Sequence, residues 1–354
     1  MSKTNRPSFL AARPNLLDDP WSALPRGFGP LRAALHLITV LAALLVGVTG
    51  AVATPASHTP VWVTLGTAGG PTPNPLRSQP ANALLAGQNI VLFDVGDGAV
   101  EKLAQAGLKL ENVKAVVLSH LHMDHTAGLE GVIGLRWQNN LRGPFTVYGP
   151  PGTKTMVDGI IAALQPSIGA GYGFDNNFGK DPVEIRVQEI EAGAPFDVLP
   201  DIAAKAVENT HYSFSPGSED AKRYKSFSFR IQGDGRTIVY TGDTGPSDAV
   251  TDLAKGADLL VSEVQDLPAL EKIIRQAAPN MPAVVWNNLT AHLQQHHLSP
   301  EDVGNIAKTA GVGRVVLTHL GPAPPEAVAE KLFIPSVKSV FDGPVVVAED
   351  LGRY

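Results

Sequence analysis

Short apolar runs recur along the chain at residues 61–65, 90–93, 115–118, 145–148, 226–231, 238–240, 259–261 and 315–317. Their brevity and their content of Val, Ile and Phe predict strands. Between them, helical spacing predicts helices over 99–105, 153–164, 248–254, 270–277 and 300–308. The last has the clearest start, with Ser299 as cap, Pro300 in the first position and Glu301 and Asp302 in the first turn. Strands alternating with helices predict an α/β fold, and the pattern fits two packed sheets with helices outside. No solenoid-type repeat interrupts the pattern.

Residues 33–53 break it. They are almost wholly apolar, follow Lys3, Arg6, Arg13, Arg26 and Arg32, and end in Ala51-Val52-Ala53, which resembles a signal peptidase site. As a helix the stretch would span about 31 Å, enough for a membrane anchor. Either reading, cleaved signal or retained anchor, divides the chain into a leader, 1–53, and a catalytic domain, 54–354. Either also predicts export, with the catalytic domain periplasmic or extracellular. The membrane is then met only through the leader.

Composition fits one globular catalytic domain, at 44% hydrophobic and 18% charged residues. The leader takes 5 of the 28 basic and 2 of the 34 acidic residues, leaving 23 against 32, a net charge of −9. That balance argues against a nucleic-acid partner, whose phosphates require neutralisation. The chain has no cysteine, which excludes a thiolate finger.

The chemistry is concentrated in Ser119-His120-Leu121-His122-Met123-Asp124-His125, at the end of the strand-like run 113–118. Imidazole and carboxylate are the ligand types of zinc and neighbouring divalent ions. His120 and His122 alternate in extended fashion, while Asp124 and His125 turn away, so one loop can serve two adjacent metals. Three further strand ends each deliver a ligand type: His211 after 202–207, Asp243 after 237–239, and His319 at the end of 315–319. Singly each is ambiguous; together the four form a constellation.

The set resembles the metallo-β-lactamase superfamily, in the branch of ribonuclease Z, related phosphodiesterases and zinc-dependent arylsulfatases. The likeness extends to Gly66-Thr67-Ala68-Gly69-Gly70-Pro71, to Leu92-Phe93-Asp94-Val95-Gly96-Asp97-Gly98 and to Phe145-Thr146-Val147-Tyr148-Gly149-Pro150-Pro151-Gly152. The resemblance implies a four-layer αββα sandwich and two Zn2+ ions, with Mn2+ or Fe2+ as alternatives. It implies His120, His122 and His211 on one metal, Asp124, His125 and His319 on the other, and Asp243 bridging both. It further implies that Asp94 orients a ligand histidine, that Asp124 and His297 take part in catalysis, and that the chain forms a homodimer, as the branch often does. His297 stands 22 residues before His319, as a histidine does in the ribonuclease Z branch. Here Leu298-Ser299 follows it where that branch has Ser-Thr, so His296 is a second candidate; His292 and His296 read as a solvated helix face.

The resulting expectation is an exported dinuclear hydrolase of small anionic esters, phosphodiesters first, acting through a metal-bridging hydroxide. Alternatives are an aryl or alkyl sulfatase, a ribonuclease Z-like endonuclease, a lactone or β-lactam hydrolase, and a non-catalytic metal-binding module. The Gly/Asn-rich residues 168–180, with Tyr172, Phe174 and Phe178, leave room for a lid that shapes an apolar substrate pocket, and read equally as a mobile surface loop. Lys222, Arg223 and Lys225 read as a solvated cluster rather than a steering patch.

Overall fold

A computed structural model describes residues 59–175 and 183–354. The leader and Phe178 lie outside the described residues. Among those described, no helix is long and apolar enough to cross a membrane.

Two sheets face each other. The first takes its strands in chain order: β1 (Val61–Gly66), β2 (Ala81–Ala86), β3 (Asn89–Val95), β4 (Val113–Val117), β5 (Thr146–Gly149) and β6 (Arg186–Glu189). The second holds β7 (Pro195–Leu199), β8 (Ile202–Glu208), β9 (Phe227–Gly233), β10 (Arg236–Tyr240), β11 (Leu259–Gln265), β12 (Val315–Gly321) and β13 (Val345–Val347). β3 to β6 are parallel to one another, and so are β10 to β13. The central ones, β3, β11 and β12, read as near-continuous apolar runs because they are buried on both faces.

Outside the sheets run α1 (Ala99–Gln105), α2 (Met123–Thr126), α3 (Leu129–Gln138), α4 (Thr153–Ala163), α5 (Gln165–Ala170) and α6 (Glu219–Arg223). They are followed by α7 (Asp248–Leu253), α8 (Leu267–Ala277), α9 (Ala283–His296), α10 (Pro300–Ala310) and α11 (Glu326–Lys338). The core has three parts, one between the sheets and one beneath the helices on each outer face. This is the expected αββα sandwich. Between the sheets Trp62 packs on Phe93 and Tyr240 at ring distances of 5.2 and 5.4 Å, and Phe93 meets Phe229 edge-on at 5.9 Å. Rings this large carry much of the inter-sheet burial.

All eight predicted strands and five predicted helices are present, with ends moved by a few residues. The pattern underpredicts two kinds of element. β2 is Ala/Asn-rich with little strand preference of its own, and is held by pairing to β1 and β3 on both sides. α11 carries Pro335 inside and yet continues to Lys338, with Ala329, Phe333 and Val337 buried along one face. The proposed lid is also placed differently. Ile168 belongs to α5, and the Tyr172 hydroxyl donates to the Gln138 carbonyl at the C-terminal end of α3. That end is about 15 Å from the helix start beside the histidine loop, so Tyr172 packs with the outer helical layer.

Candidate metal centre

Parallel strands in both sheets end at one edge, and their C-terminal ends carry the ligands. β4 runs into Ser119-His120, and His122 precedes α2 in extended conformation (φ −67°, ψ 148°). His120 and His122 therefore point together, while α2 turns Asp124 and His125 aside. Glycine makes the fit: a Cβ on Gly70 would lie 2.1 Å from Asp124 Oδ2. Asp94 and His319 hold left-handed backbone conformations (φ 54° and 45°). Each costs on the order of 1–3 kcal/mol and persists only where surrounding structure imposes it, commonly at functional sites.

The seven candidate ligands form two groups. In the first, His120 Nε2 and His211 Nε2 each lie 3.0 Å from His122 Nδ1. In the second, Asp124, His125, Asp243 and His319 bring their donor atoms within 4.8 Å of one another, all buried. Asp243 Oδ1 is 3.2 Å from His125 Nε2, and its Oδ2 is 3.1 Å from His319 Nε2 and 3.9 Å from His211 Nε2. Asp243 thus reaches from the second group to the first, where the His125 ring also packs on His120 at 4.1 Å.

A web behind the ligands fixes their tautomers. Asp94 accepts from the Ser119 N–H (2.7 Å), the Ser119 hydroxyl (2.7 Å), the Tyr240 hydroxyl (2.7 Å) and His125 Nδ1 (2.8 Å). With its proton given to Asp94, Ser119 Oγ accepts from His120 Nδ1 at 3.0 Å. The His296 carbonyl, 3.2 Å from His211 Nδ1, can only accept. In His120, His125 and His211 the proton is therefore on Nδ1, and Nε2 is turned inward as the ligand atom. Burial lowers His120, His122 and His211 below the usual histidine range, so all three are neutral at pH 7. Burial also works against charge on His125 and His319. There Asp243 outweighs it, aided at His125 by Asp94 and at His319 by Asp124, and both are raised, His319 to about 10. Burial would raise Asp124, but His319 and His125 bring it down to about 2; the same two histidines depress Asp243.

The donor set fits a divalent cation on one further observation. His125 Nε2, Asp243 Oδ1 and His319 Nε2 are buried in ion-pair contacts that lack hydrogen-bond geometry, and His319 Nδ1 is buried with no hydrogen-bond partner. Leaving a buried polar atom unpaired costs about 1–3 kcal/mol, and coordination to a cation removes that cost.

His297 Nδ1 lies 2.7 Å from Glu263 Oε2, and the other Glu263 oxygen accepts from the Thr244 N–H. Glu263 is fully buried in β11, where burial raises its carboxyl pKa even against the pull of His297. His297 is buried, whereas the partly exposed His296 turns its Nδ1 to the Thr210 carbonyl. Of the two candidates, His297 is the one buried against Glu263. Sequence reasoning missed Glu263, Ser119, Tyr240 and His292. Only Glu263 carried a usable signal, an acid inside the otherwise apolar run of β11. His292 is not on a solvated face: its ring is 5.5 Å from His211 and 5.4 Å from His297. Lys222 and Lys225 are paired with Glu219 and Glu208, in keeping with a solvated cluster. A cavity of about 390 Å³ beside Arg136, Trp137 and Phe145 is lined by none of the ligands.

Two packed sheets clad in helices, with histidine and aspartate converging at one edge, define a metal-site protein of the αββα class. Residues 89–320 match the family described as the beta-lactamase superfamily domain, and the chain belongs to that superfamily. Ribonuclease Z of Mycobacterium bovis (strain BCG / Pasteur 1173P2) is 30% identical over 294 residues, covering 82% of this chain and 96% of that protein. Ribonuclease Z of Mycobacterium marinum is 30% identical over 74% of this chain and 87% of its own length. The metallo-beta-lactamase fold protein YhfI of Bacillus subtilis has a TM-score of 0.58 and 21% identity, covering 84% of this chain and 99% of its own. The short form of human tRNase Z has a TM-score of 0.55 at 22% identity, with 83% and 98% covered. At such identities these two structures show the shared fold.

Proposed function

We propose that the chain is a dinuclear metal-dependent hydrolase of small anionic esters, with a phosphodiester as first substrate. The observation that carries this is Asp243 touching both ligand groups beside the buried Glu263–His297 pair. The ribonuclease Z relatives, similar over nearly their whole length, support the phosphodiester over other esters. Zinc, or manganese or iron in its place, would be held by His120, His122 and His211 and by Asp124, His125 and His319, with Asp243 shared. Bound cations would supply Lewis-acid stabilisation of the ester oxygens and a nucleophile competent at neutral pH. Asp124, ionised at neutral pH, is able to accept a hydrogen bond from attacking water and so orient it. Glu263 accepts from His297 Nδ1, and the protonated ring then presents Nε2–H, which would give its proton to the departing oxygen and leave the ring neutral.

The preference for small esters over RNA rests on charge. Residues 54–354 carry a net −9, and Lys154, Lys222 and Lys225 are each paired with a carboxylate. The basic and apolar leader supports export, through cleavage or as an anchor; recovery of the intact chain in the cytosolic fraction would refute it. Initial rates of the zinc-loaded chain on a chromogenic phosphodiester and the matching sulfate ester test the reaction. Preference for the diester supports the proposal, preference for the sulfate moves the chain to the sulfatases, and activity on neither sinks it.

A further inference from the structure

His292 belongs to none of the roles given above, yet it is built into the site. It projects from the last turn and a half of α9, in a hairpin with α8 that has no buried residue in either helix. A side chain on such a hairpin has no packing reason to point inward, but His292 does. One ring nitrogen each of His211, His292 and His297 falls within a 4.8 Å cluster. The His292 and His297 rings stand nearly perpendicular, at 86°. Ser213, two residues after the ligand His211, holds His292 Nδ1 at 2.9 Å.

The local chain explains the placement. In the segment from His211 to Phe214, the rings of His211 and Tyr212 both meet His122, while Ser213 turns to α9. Tyr212 and Phe214 pack on one another at 5.3 Å, and the Tyr212 ring lies 5.3 Å from that of His122. The same stretch that delivers a metal ligand therefore also anchors His292. If the Ser213 hydroxyl donates to Nδ1, the imidazole proton sits on Nε2, which becomes a neutral hydrogen-bond donor.

We infer that His292, standing beside His297, forms an oxyanion subsite outside the metal ligands, which takes a peripheral oxygen of a tetrahedral anion such as a phosphoryl group while His297 faces the departing oxygen. This rests on the proposed reaction for its purpose, but not for its test. It deepens that reading by adding a donor on the α9 side, so that the anion is gripped between the two ligand groups and the hairpin.

Calorimetric binding of inorganic phosphate to the zinc-loaded full chain is the test. His292→Ala should weaken phosphate about tenfold or more, the loss of one hydrogen bond to a charged group, with zinc content unchanged. His292→Gln, which keeps a donor, should restore most of the affinity. Ser213→Ala should weaken phosphate by a smaller factor, because it removes only the anchor. Phosphate binding within twofold of wild type in His292→Ala would overturn the subsite while leaving the hydrolase reading intact. Phosphate binding lost with His292, in a chain that cleaves no diester, would uphold the subsite and overturn the reaction. A wild-type chain that binds no phosphate at millimolar concentration overturns both.

Discussion

The two ligand groups, a few ångströms apart, solve the problem of holding a cation in opposite ways. His120, His122 and His211 are neutral rings that touch one another, and His122 is exposed to solvent. Asp124, His125, Asp243 and His319 form a buried nest in which two carboxylates hold two histidines in the charged state. The first group is already deprotonated as a ligand must be; the second keeps its charge balanced by protons until a cation replaces them. The comparison teaches that one site can contain a group ready to bind and a group that binds by exchange.

Removing the shared residue should have the largest effect. Asp243→Asn is expected to lower diester turnover by a factor of about 10³ or more and to lower bound metal, while the circular dichroism stays native. Retained turnover in a metal-verified variant would remove Asp243 from its bridging role.

Next comes the proton handler. His297→Ala should reduce kcat by about 10²–10⁴, the usual scale of general acid–base catalysis, with KM changed far less. Glu263→Gln should give a partial loss with an altered pH–rate profile. A KM effect alone would mean that the pair only shapes the pocket.

Asp94→Asn attacks the second group from behind, because Asp94 orients His125 directly. Supporting carboxylates of this kind are worth about 10–100-fold in metal affinity. The loss should be greater for the second group than for the first, where Asp94 acts only through Ser119.

The smallest effect separates the groups by pH. In the metal-free protein His319 titrates at about 10 and His125 is also raised. Both carry protons at pH 7, and cation binding must expel them. Affinity of the second group should therefore climb as pH rises from 7 towards 10, by up to about tenfold per unit for each proton displaced. The first group, whose histidines are lowered, should show a flat profile over the same range and weaken only in acid. Equal proton release on filling both groups would erase the distinction.

The sequence made the ligands legible because chemistry-bearing residues cluster densely where apolar runs stop. His120, His122, Asp124 and His125 within one loop need no tertiary knowledge to be noticed. The supporting web was illegible for the opposite reason. Ser119 and Tyr240 are ordinary residues until two sheets pack and bring both hydroxyls onto Asp94. His292 looked solvated because helical spacing fixes a face but not what that face meets. The sandwich itself followed from alternating elements, whereas β2 existed only through its neighbours and could not be read alone.

The most direct test of the account is a zinc titration of metal-free protein, following bound metal and diester turnover in the same samples. A centre that works through both groups should saturate at two equivalents per chain, with turnover appearing only as the second is taken up. Saturation at one equivalent, or full turnover once the first is bound, would contradict a centre that works through both groups.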